Sequence, residues 1–305
     1  MSKLSKGLAR VRTLARHRSL CASGAELALL GRSRGALGIA KLSEELKVRQ
    51  ALERRYGAMI DASAPAGPLG KPNRTVWICW LQGIDGAPEL VKKCFASVQA
   101  CFSGWEIVVL TSDNLSRYAE LSPAILDKWK RGVISAAHFS DLLRVDLLTR
   151  LGGLWLDATV FCTGGLSDAF IESNDLFLYQ ILPPNALGRS LRCSSWLIWA
   201  RSGCRVLAQT RALLWAYWER EDALFDYYLL HHFIAMVMDR FPEDARRILP
   251  RGTSAPHQLQ FRLFDPYVPA IWDDIRAQAD FHKLTYRLDP GDVARKGTFY
   301  DAILR

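Results

Sequence analysis

Downstream of residue 75, short apolar runs alternate along the chain with segments in which apolar residues recur every three or four positions. The runs TVWICWLQG and EIVVLTSDN are typical of strands buried on both faces, whereas PELVKKCFASVQACF and YAELSPAILDKWKRG are typical of amphipathic helices. Apolar strands that alternate with helices indicate a mainly parallel sheet covered on both sides. The pattern therefore predicts an α/β fold, with ligands bound at the carboxyl ends of its strands.

The next segment joins a predicted helix to a predicted strand that contains an acid. SAAHFSDLLRVDLLTRLGG begins at a capping residue, Ser135, and ends at Gly152 and Gly153, which suit a helix end and a sharp turn. The predicted strand that follows, GGLWLDATVFC over residues 152–162, places Asp157 in an apolar run. Burying a carboxylate costs free energy unless it is paired, hydrogen-bonded or bound to a metal. We therefore expect Asp157 to have a partner of one of these kinds.

Other charged and titratable residues lie on predicted helices. Asp141 and Arg144 are three positions apart and therefore side by side, a spacing that by itself favours an ordinary surface ion pair. Two later runs, CRVLAQTRALLWAYWE and DALFDYYLLHHFIAMVMDRF, are predicted helices that cover the sheet. The second contains Asp226, His231 and His232. Paired histidines on an apolar helix are more typical of buried structural groups than of ligands.

The first 60 residues differ from the rest of the chain in charge. They hold 13 Lys and Arg but only 4 Glu, whereas the remainder holds 27 basic and 27 acidic residues, so the net charge of +9 belongs to this segment. Basic and apolar residues mixed at helical spacing are typical of a helix that lies on anionic lipid. A solvated basic extension, or a transit sequence over the first 25 residues, would have the same pattern. Residues 61–74, rich in Pro, Gly and Ala, form a predicted linker between this helical arm (1–60) and the body (75–305).

Composition narrows the class of protein. Of the 305 residues, 50% are hydrophobic and 23% charged, which is enough for a globular body with a sizeable core. The chain lacks a membrane-spanning apolar run and a secretory signal, so we expect a cytoplasmic location. Its seven cysteines form no CxxC pair and indicate reduced thiols. Nucleic acid is not an expected partner, because the body has no basic stripe interleaved with aromatic residues.

Several motifs together resemble those of a known family. VWICWLQG, HFSDLLRVDLLTRLGGLWLDATVFC, SSWLIWA, DYYLLHHF, PHQL and HKLTYR are similar to segments of the capsular polysaccharide synthesis proteins. These are bacterial glycosyltransferases related to glycosyltransferase family 32 and, more distantly, to the glucosylating clostridial toxins. The resemblance covers about residues 75–290 and leaves the basic arm outside. It implies a GT-A fold, a nucleotide-sugar donor and transfer with retention of anomeric configuration.

The resemblance also implies roles in donor binding. Trp80 occupies the position of the family's base-contacting aromatic residue, and Gln82 lies two positions after it. Trp77 is the other candidate for this role. The alternative for each tryptophan is that it is a core residue. Asp141 and Arg144 match the family's SDxxR motif. There the acid receives hydroxyl groups of the ribose or donor sugar, and the guanidinium lies near the sugar and diphosphate. Together with Asp157, these two residues are the expected catalytic residues.

Metal binding is the third implied property. Asp157 matches the first position of the family's DxD motif, whose carboxylates hold a divalent cation, Mn2+ or Mg2+, on the donor diphosphate. The chain departs from the motif because Thr159 replaces the second acid. C-terminal segments of GT-A enzymes supply a metal ligand and a cation that contacts the diphosphate, which implies these roles for His282 and Lys283. His257, in PHQL, is a further loop candidate.

The residues and the resemblance together predict a hexosyltransferase-type glycosyltransferase. It would pass a sugar from a nucleotide-sugar to a growing capsular or other cell-surface polysaccharide, the acceptor glycan. The arm adds the expectation that the enzyme docks on the inner face of the cell membrane. The incomplete DxD motif motivates an alternative, a catalytically weak homologue that serves as a scaffold or glycan-binding subunit.

Overall fold

The structure is a computed structural model that describes residues 33–61, 67–181 and 193–305. The first 32 residues of the predicted arm and part of the predicted linker lie outside the described residues. The helices are α1 (Arg34–Tyr56), α2 (Glu89–Cys101), α3 (Leu115–Tyr118), α4 (Pro123–Lys130), α5 (Ala136–Arg150), α6 (Asp168–Ser173), α7 (Arg205–Arg220), α8 (Leu229–Arg240), α9 (Pro242–Arg247), α10 (Gln258–Arg262), α11 (Pro269–Gln278), α12 (Pro290–Val293) and α13 (Phe299–Ile303). The strands are β1 (Thr75–Cys79), β2 (Glu106–Leu110), β3 (Gly153–Leu156), β4 (Val160–Cys162), β5 (Leu176–Gln180), β6 (Cys193–Ala200) and β7 (Phe281–Lys283).

Five of these strands form the central sheet, in the order β2-β1-β3-β6-β5. β1 is parallel to β2 and to β3, whereas β6 is antiparallel to β3 and to β5. Within this sheet four strands therefore run in one direction and β6 runs in the other. The prediction of an α/β fold with a mainly parallel sheet flanked by helices and an N-terminal helical extension is confirmed, and the GT-A type of this fold stays a prediction.

Burial on both faces explains why the strands are uninterrupted apolar runs. In β1, Val76 and Ile78 belong to one core and Trp77 to the other. The larger core contains apolar sides of α1, α5, α7 and α8, and the second contains those of α2 and of the β4–β7 ribbon. Since helices and this ribbon cover both faces, a ligand has access to the sheet at the ends of its strands.

The predicted strand over residues 152–162 is wrong in one respect, because it forms two strands in different sheets. The backbone N–H of Asp157 donates to Trp196 O of β6 at 2.8 Å, and the N–H of Val160 donates to Asp157 O at 3.0 Å, which closes a turn. β4 then pairs antiparallel with β7 in a separate ribbon. Asp157 therefore ends a strand at the carboxyl edge of the sheet instead of lying inside one.

Two predicted helices also differ from those observed. YAELSPAILDKWKRG breaks after α3 and resumes as α4, because Pro123 takes the first helical position and Ser122 Oγ caps it by accepting from the N–H of Ile125. DALFDYYLLHHFIAMVMDRF is helical only from Leu229. Residues 221–228 instead form a loop before α8.

Gly152 and Gly153 make the sharp turn between α5 and β3. Their φ angles are +70° and +106°. A Cβ on Gly153 would lie 2.6 Å from Thr75 O, and one on Gly152 would lie 2.9 Å from Ala200 O. No L side chain fits here. The turn sets the direction of β3 and thereby the position of Asp157, which follows that strand.

The later part of the predicted arm packs against the body. Val48, Leu52 and Tyr56 of α1 are buried in the larger core. Arg49 of the same helix forms an ion pair with Asp239 of α8 at 2.9 Å. A truncation that spares the core must therefore stop before α1.

In the described ranges, no helix is both long enough and apolar enough to cross a membrane. The cysteines of the same ranges are free thiols.

Candidate functional site

The candidate site lies where the carboxyl ends of β1 and β3 meet α5. The two strands are adjacent and parallel. Trp80 follows the end of β1, and Asp157 follows the end of β3. α5, which packs in the larger core beneath these strands, contributes Asp141 and Arg144 to the same edge.

Arg144 is the centre of the polar network at this edge. Its Nη1 donates to Asp141 Oδ1 at 2.7 Å, and its Nη2 donates to Asp157 Oδ1 at 2.8 Å. The guanidinium carbon lies 4.9 Å from the centre of the Trp155 ring, whose Nε1 donates to the same Asp157 oxygen at 3.2 Å. Arg144 is only 4% exposed. The interpretation of Asp141 and Arg144 as a surface ion pair is therefore wrong, because the cation is buried and holds two carboxylates.

Asp141 stays ionised at neutral pH because of its neighbours. Burial raises the pKa of its carboxyl, but the Arg144 guanidinium and His138 outweigh burial and hold the pKa below its ordinary value. His138 Nδ1 lies 3.4 Å from Asp141 Oδ2. An ionised carboxylate only accepts hydrogen bonds, so Asp141 is suited to receive the hydroxyl groups of a ligand.

Residues 227–231, at the end of the loop before α8 and in the first turn of that helix, form a wall of the site near Asp141. Burial lowers the pKa of His231 to about 4, and the nearby Asp141 carboxylate offsets this only in part, so the imidazole is neutral at pH 7. The His231 ring lies 5.4 Å from that of Tyr228, which lies 5.1 Å from that of Tyr227. Tyr227 is 65% exposed, and its partial burial together with the Asp141 charge raises its pKa. These residues all belong to the run DYYLLHH, but its helical periodicity led us to predict a helix that covers the sheet instead of part of the site.

Lys283 reaches the site from the β4–β7 ribbon. It is paired with Val160 across the ribbon. Its Nζ donates to Thr159 Oγ1 at 2.6 Å and to Leu284 O at 3.0 Å, and lies 3.7 Å from Asp157 Oδ2. The predicted diphosphate-contacting cation thus lies beside both side chains of the DxD-like motif.

Trp80 and Trp77 have different environments. Trp80 is half-buried, and its ring meets that of the exposed Tyr286 edge to face with 5.4 Å between centroids. Gln82 is exposed on the turn after Trp80. Trp77 is buried, and its Nε1 donates to Gly152 O at 2.9 Å. Trp77 is therefore a core residue, and only Trp80 of the two is open to a ligand.

His282, the predicted second metal ligand, faces away from Asp157. Consecutive strand residues point to opposite faces, so its side chain is on the other side of β7 from Lys283. It is fully buried, with Nε2 3.1 Å from Thr163 Oγ1, and burial lowers its pKa to about 4. The structure does not bring His282 and Asp157 together.

The remaining histidine candidates have structural contacts. His257 Nδ1 lies 2.7 Å from Thr253 O. His232 is fully buried, and its Nε2 lies 3.5 Å from Asp226 Oδ1. The interpretation of His232 as a buried structural group agrees with these contacts.

The donor atoms around Asp157 can be compared with the needs of a divalent cation, which prefers several oxygen ligands. Asp157 Oδ1 already accepts two hydrogen bonds, and Oδ2 faces the Lys283 ammonium. Thr159 Oγ1 accepts from the same ammonium. Within the part of the chain that the structure describes, no three His, Cys, Asp or Glu side chains are grouped to hold a metal ion. The residues present therefore do not fit a protein-held Mn2+ or Mg2+, and metal dependence stays a prediction.

Comparison with known proteins identifies a family whose model matches most of the chain. A family model described as capsular polysaccharide synthesis protein matches residues 38–303. It confirms the resemblance of the motifs and extends it, because the match begins within α1 instead of at residue 75. No curated protein matches the chain. Among solved structures, the chain is similar to one named PaToxG Glycosyltransferase, with 13% identity, a TM-score of 0.40, and coverage of 67% of this chain and 82% of that one. A likeness of this degree supports no inference about activity.

Proposed function

The chain belongs to the capsular polysaccharide synthesis protein family, and from this premise we propose that it is a glycosyltransferase with a nucleotide-sugar donor and a cell-surface glycan as acceptor. The observation that supports the proposal most directly is the Arg144 bridge between Asp141 and Asp157 at the carboxyl edge of the sheet. Next to it lie an ammonium group and a half-exposed aromatic ring. A site for a sugar nucleotide requires acids that accept hydrogen bonds from its hydroxyl groups, cations that bind its diphosphate and an aromatic ring that packs against its base.

In the proposed complex each part of the donor has a partner. The diphosphate contacts the Lys283 ammonium and lies near the Arg144 guanidinium, because cationic donors form the strongest hydrogen bonds to phosphate. Asp141 accepts hydrogen bonds from hydroxyl groups of the ribose or sugar. The base packs on Trp80, and the acceptor approaches along the exposed Tyr227.

Transfer with retention of configuration is part of the proposal. The carboxylates of Asp141 and Asp157 are both engaged by Arg144, and Asp226 Oδ1 accepts from the backbone N–H of Tyr228 at 2.7 Å. We propose that the bond from the anomeric carbon to the diphosphate breaks while a bond to the acceptor oxygen forms on the same face. The acceptor proton passes to the leaving diphosphate oxygen.

The anomeric NMR signal of the product is expected to have the same configuration as that of the donor. This follows because in the proposed step the acceptor proton passes to the leaving diphosphate oxygen, which lies on the same face of the sugar as the incoming acceptor. An inverted linkage would contradict the expectation and make Asp226 the first candidate for a general base.

A panel of nucleotide-sugars tests the proposed function itself. A true donor at 100 times its dissociation constant stabilises the fold by about 2.7 kcal/mol, which thermal unfolding detects. The same donor should be hydrolysed slowly when no acceptor is present. A scaffold or glycan-binding subunit would show neither response with any donor, and that result would favour this alternative.

Replacing Trp80 or Trp77 with Ala should give opposite results. Trp80→Ala should weaken donor binding by about 1 to 3 kcal/mol, since a stacking surface is lost, with little change in stability. Trp77→Ala should lower the free energy of unfolding by about 3 to 5 kcal/mol, since a buried ring is lost. Donor titration and chemical denaturation of both variants measure the difference. The reverse pattern would show that Trp77 and not Trp80 contacts the donor.

Docking on the inner face of the cell membrane stays a proposal, supported by the outer side of α1. Ile39, Leu42 and Leu46 are all exposed and lie on one face of that helix. Their joint replacement by Ser in the full-length chain should reduce sedimentation with anionic liposomes and leave the unfolding temperature unchanged. Leu126 and Leu151, which are exposed elsewhere, provide the matched Ser control. Equal sedimentation of the triple variant and the native chain would refute docking through this face.

A further inference from the structure

Thr159, which replaces the second acid of the DxD motif, is contacted by the ammonium group of Lys283. Lys283 Nζ lies between the side chains at the two motif positions, 3.7 Å from Asp157 Oδ2 and 2.6 Å from Thr159 Oγ1. Two carboxylates balance the charge of a dication, whereas one carboxylate balances the single charge of an ammonium. We propose that Lys283 is the resident cation of the donor site and that the protein binds the donor diphosphate without a divalent metal ion.

The β4–β7 ribbon holds Lys283 in place before any ligand binds. Lys283 is paired with Val160, and the N–H of the next residue, Leu284, donates to Thr159 O at 2.9 Å. The side chain is only 21% exposed. A lysine normally loses side-chain entropy when it is ordered on an anion. Here much of that loss occurs when the chain folds, so the ammonium is preorganised for its ligand.

The hydrogen bonds of the ammonium leave one donor for a phosphate. An ammonium group has three N–H donors. Thr159 Oγ1 and Leu284 O accept from two of them, and Asp157 Oδ2, at 3.7 Å, is beyond hydrogen-bond distance. An acid at position 159 would place a second carboxylate on Lys283 and compete with a phosphate oxygen. Thr159 orients the ammonium without neutralising it.

This inference rests on the proposed function, since it takes the bound anion to be the donor diphosphate. Inorganic pyrophosphate, titrated calorimetrically into the full-length chain in metal-free buffer, tests the diphosphate contact without the sugar. We expect the native chain to bind it and Lys283→Met to bind it at least about tenfold more weakly, because a charge-assisted hydrogen bond is lost. Lys283→Arg should retain part of the affinity, which separates loss of charge from loss of fold.

Lys92→Met is the matched control, because Lys92 is a partly exposed lysine of α2 that forms an ion pair with the neighbouring Glu89. It should bind pyrophosphate as the native chain does. Binding by the native chain only after Mn2+ is added would overturn the proposal. So would equal binding by Lys283→Met and the native chain.

A second experiment uses Mn2+ alone and follows the free ion by its electron paramagnetic resonance signal. The native chain and Lys283→Met should leave the ion free, whereas the double variant Thr159→Asp with Lys283→Met should take it up, because two carboxylates then face the same space. Uptake by the native chain would overturn the proposal, and failure of the double variant to take up Mn2+ would contradict the charge-balance argument.

The nucleotide-sugar panel separates this inference from the proposed function. Donor hydrolysis that requires Mn2+ would overturn the role of Lys283 and leave the glycosyltransferase proposal standing. Metal-free pyrophosphate binding through Lys283, without a response to any nucleotide-sugar, would support the Lys283 site and count against the glycosyltransferase.

Discussion

Replacing Asp157 with Asn should remove nearly all donor turnover and leave the protein folded. Asp157 orients both cations of the site, since Oδ1 accepts from Arg144 at 2.8 Å and Oδ2 lies 3.7 Å from Lys283 Nζ. An amide of the same shape has no charge, and its NH2 group would repel either cation. We expect turnover to fall by about a hundredfold or more, as when a preorganised polar group is removed from an active site.

Stability should change little in the same variant. The Asp157 side chain is 29% exposed, and Arg144 keeps its pairing with Asp141. The free energy of unfolding should therefore fall by only about 1 kcal/mol. Donor hydrolysis per folded molecule and urea denaturation measure the two effects. Asp168→Asn, at an exposed acid paired with Arg74 on the surface, should leave both unchanged. Full turnover in Asp157→Asn would mean that Asp157 is only a structural acid.

Replacing Arg144 with Met should cost more stability than any other single change proposed for the network. Arg144 is buried and is the common partner of Asp141 and Asp157. Removing one member of a buried charge network leaves the others uncompensated, and about 3 to 5 kcal/mol of unfolding free energy should be lost. Arg144→Lys should recover only part of it, because a single ammonium lacks the planar fork that reaches both acids.

The pH dependence of stability should shift in the Arg144→Met variant. In the native chain Arg144 holds the pKa of Asp141 below its ordinary value against the effect of burial. A carboxyl whose pKa is depressed in the folded state stabilises the protein above its unfolded pKa, and this contribution disappears as the pH falls through the folded pKa. Without Arg144, burial dominates and raises the pKa of Asp141. The loss of stability in the variant should therefore be largest near neutral pH and should shrink as the pH falls and Asp141 is protonated in the folded variant.

Urea denaturation over a pH series measures this shift. Arg131→Met, which removes an exposed arginine paired with Asp127 on α4, is the matched control and should follow the native profile. Parallel profiles for Arg144→Met and the native chain, offset by a constant, would contradict the coupling of Asp141 to Arg144.

The local pattern of the sequence was sufficient to predict the fold class and the position of several elements. β1, β2 and α2 lie where the apolar runs and the helical spacing placed them. α5 begins after Ser135, whose Oγ accepts from the backbone N–H of His138. These features depend on neighbouring residues, because burial periodicity, capping and glycine turns are all local properties of a chain. Motifs also identified the residues of the polar network, Asp141, Arg144 and Asp157, but not their geometry.

Only the tertiary structure decided which of these residues meet. Lys283 and Thr159 are 124 positions apart in the chain, and their contact depends on the register between β4 and β7. A shift of that register by one residue would have turned His282 to the site instead, since successive strand residues face opposite ways. The break of the predicted strand at Asp157 likewise depends on Trp196, whose carbonyl accepts from its N–H. Pairing between distant segments is determined by how whole surfaces pack, and no local periodicity encodes it.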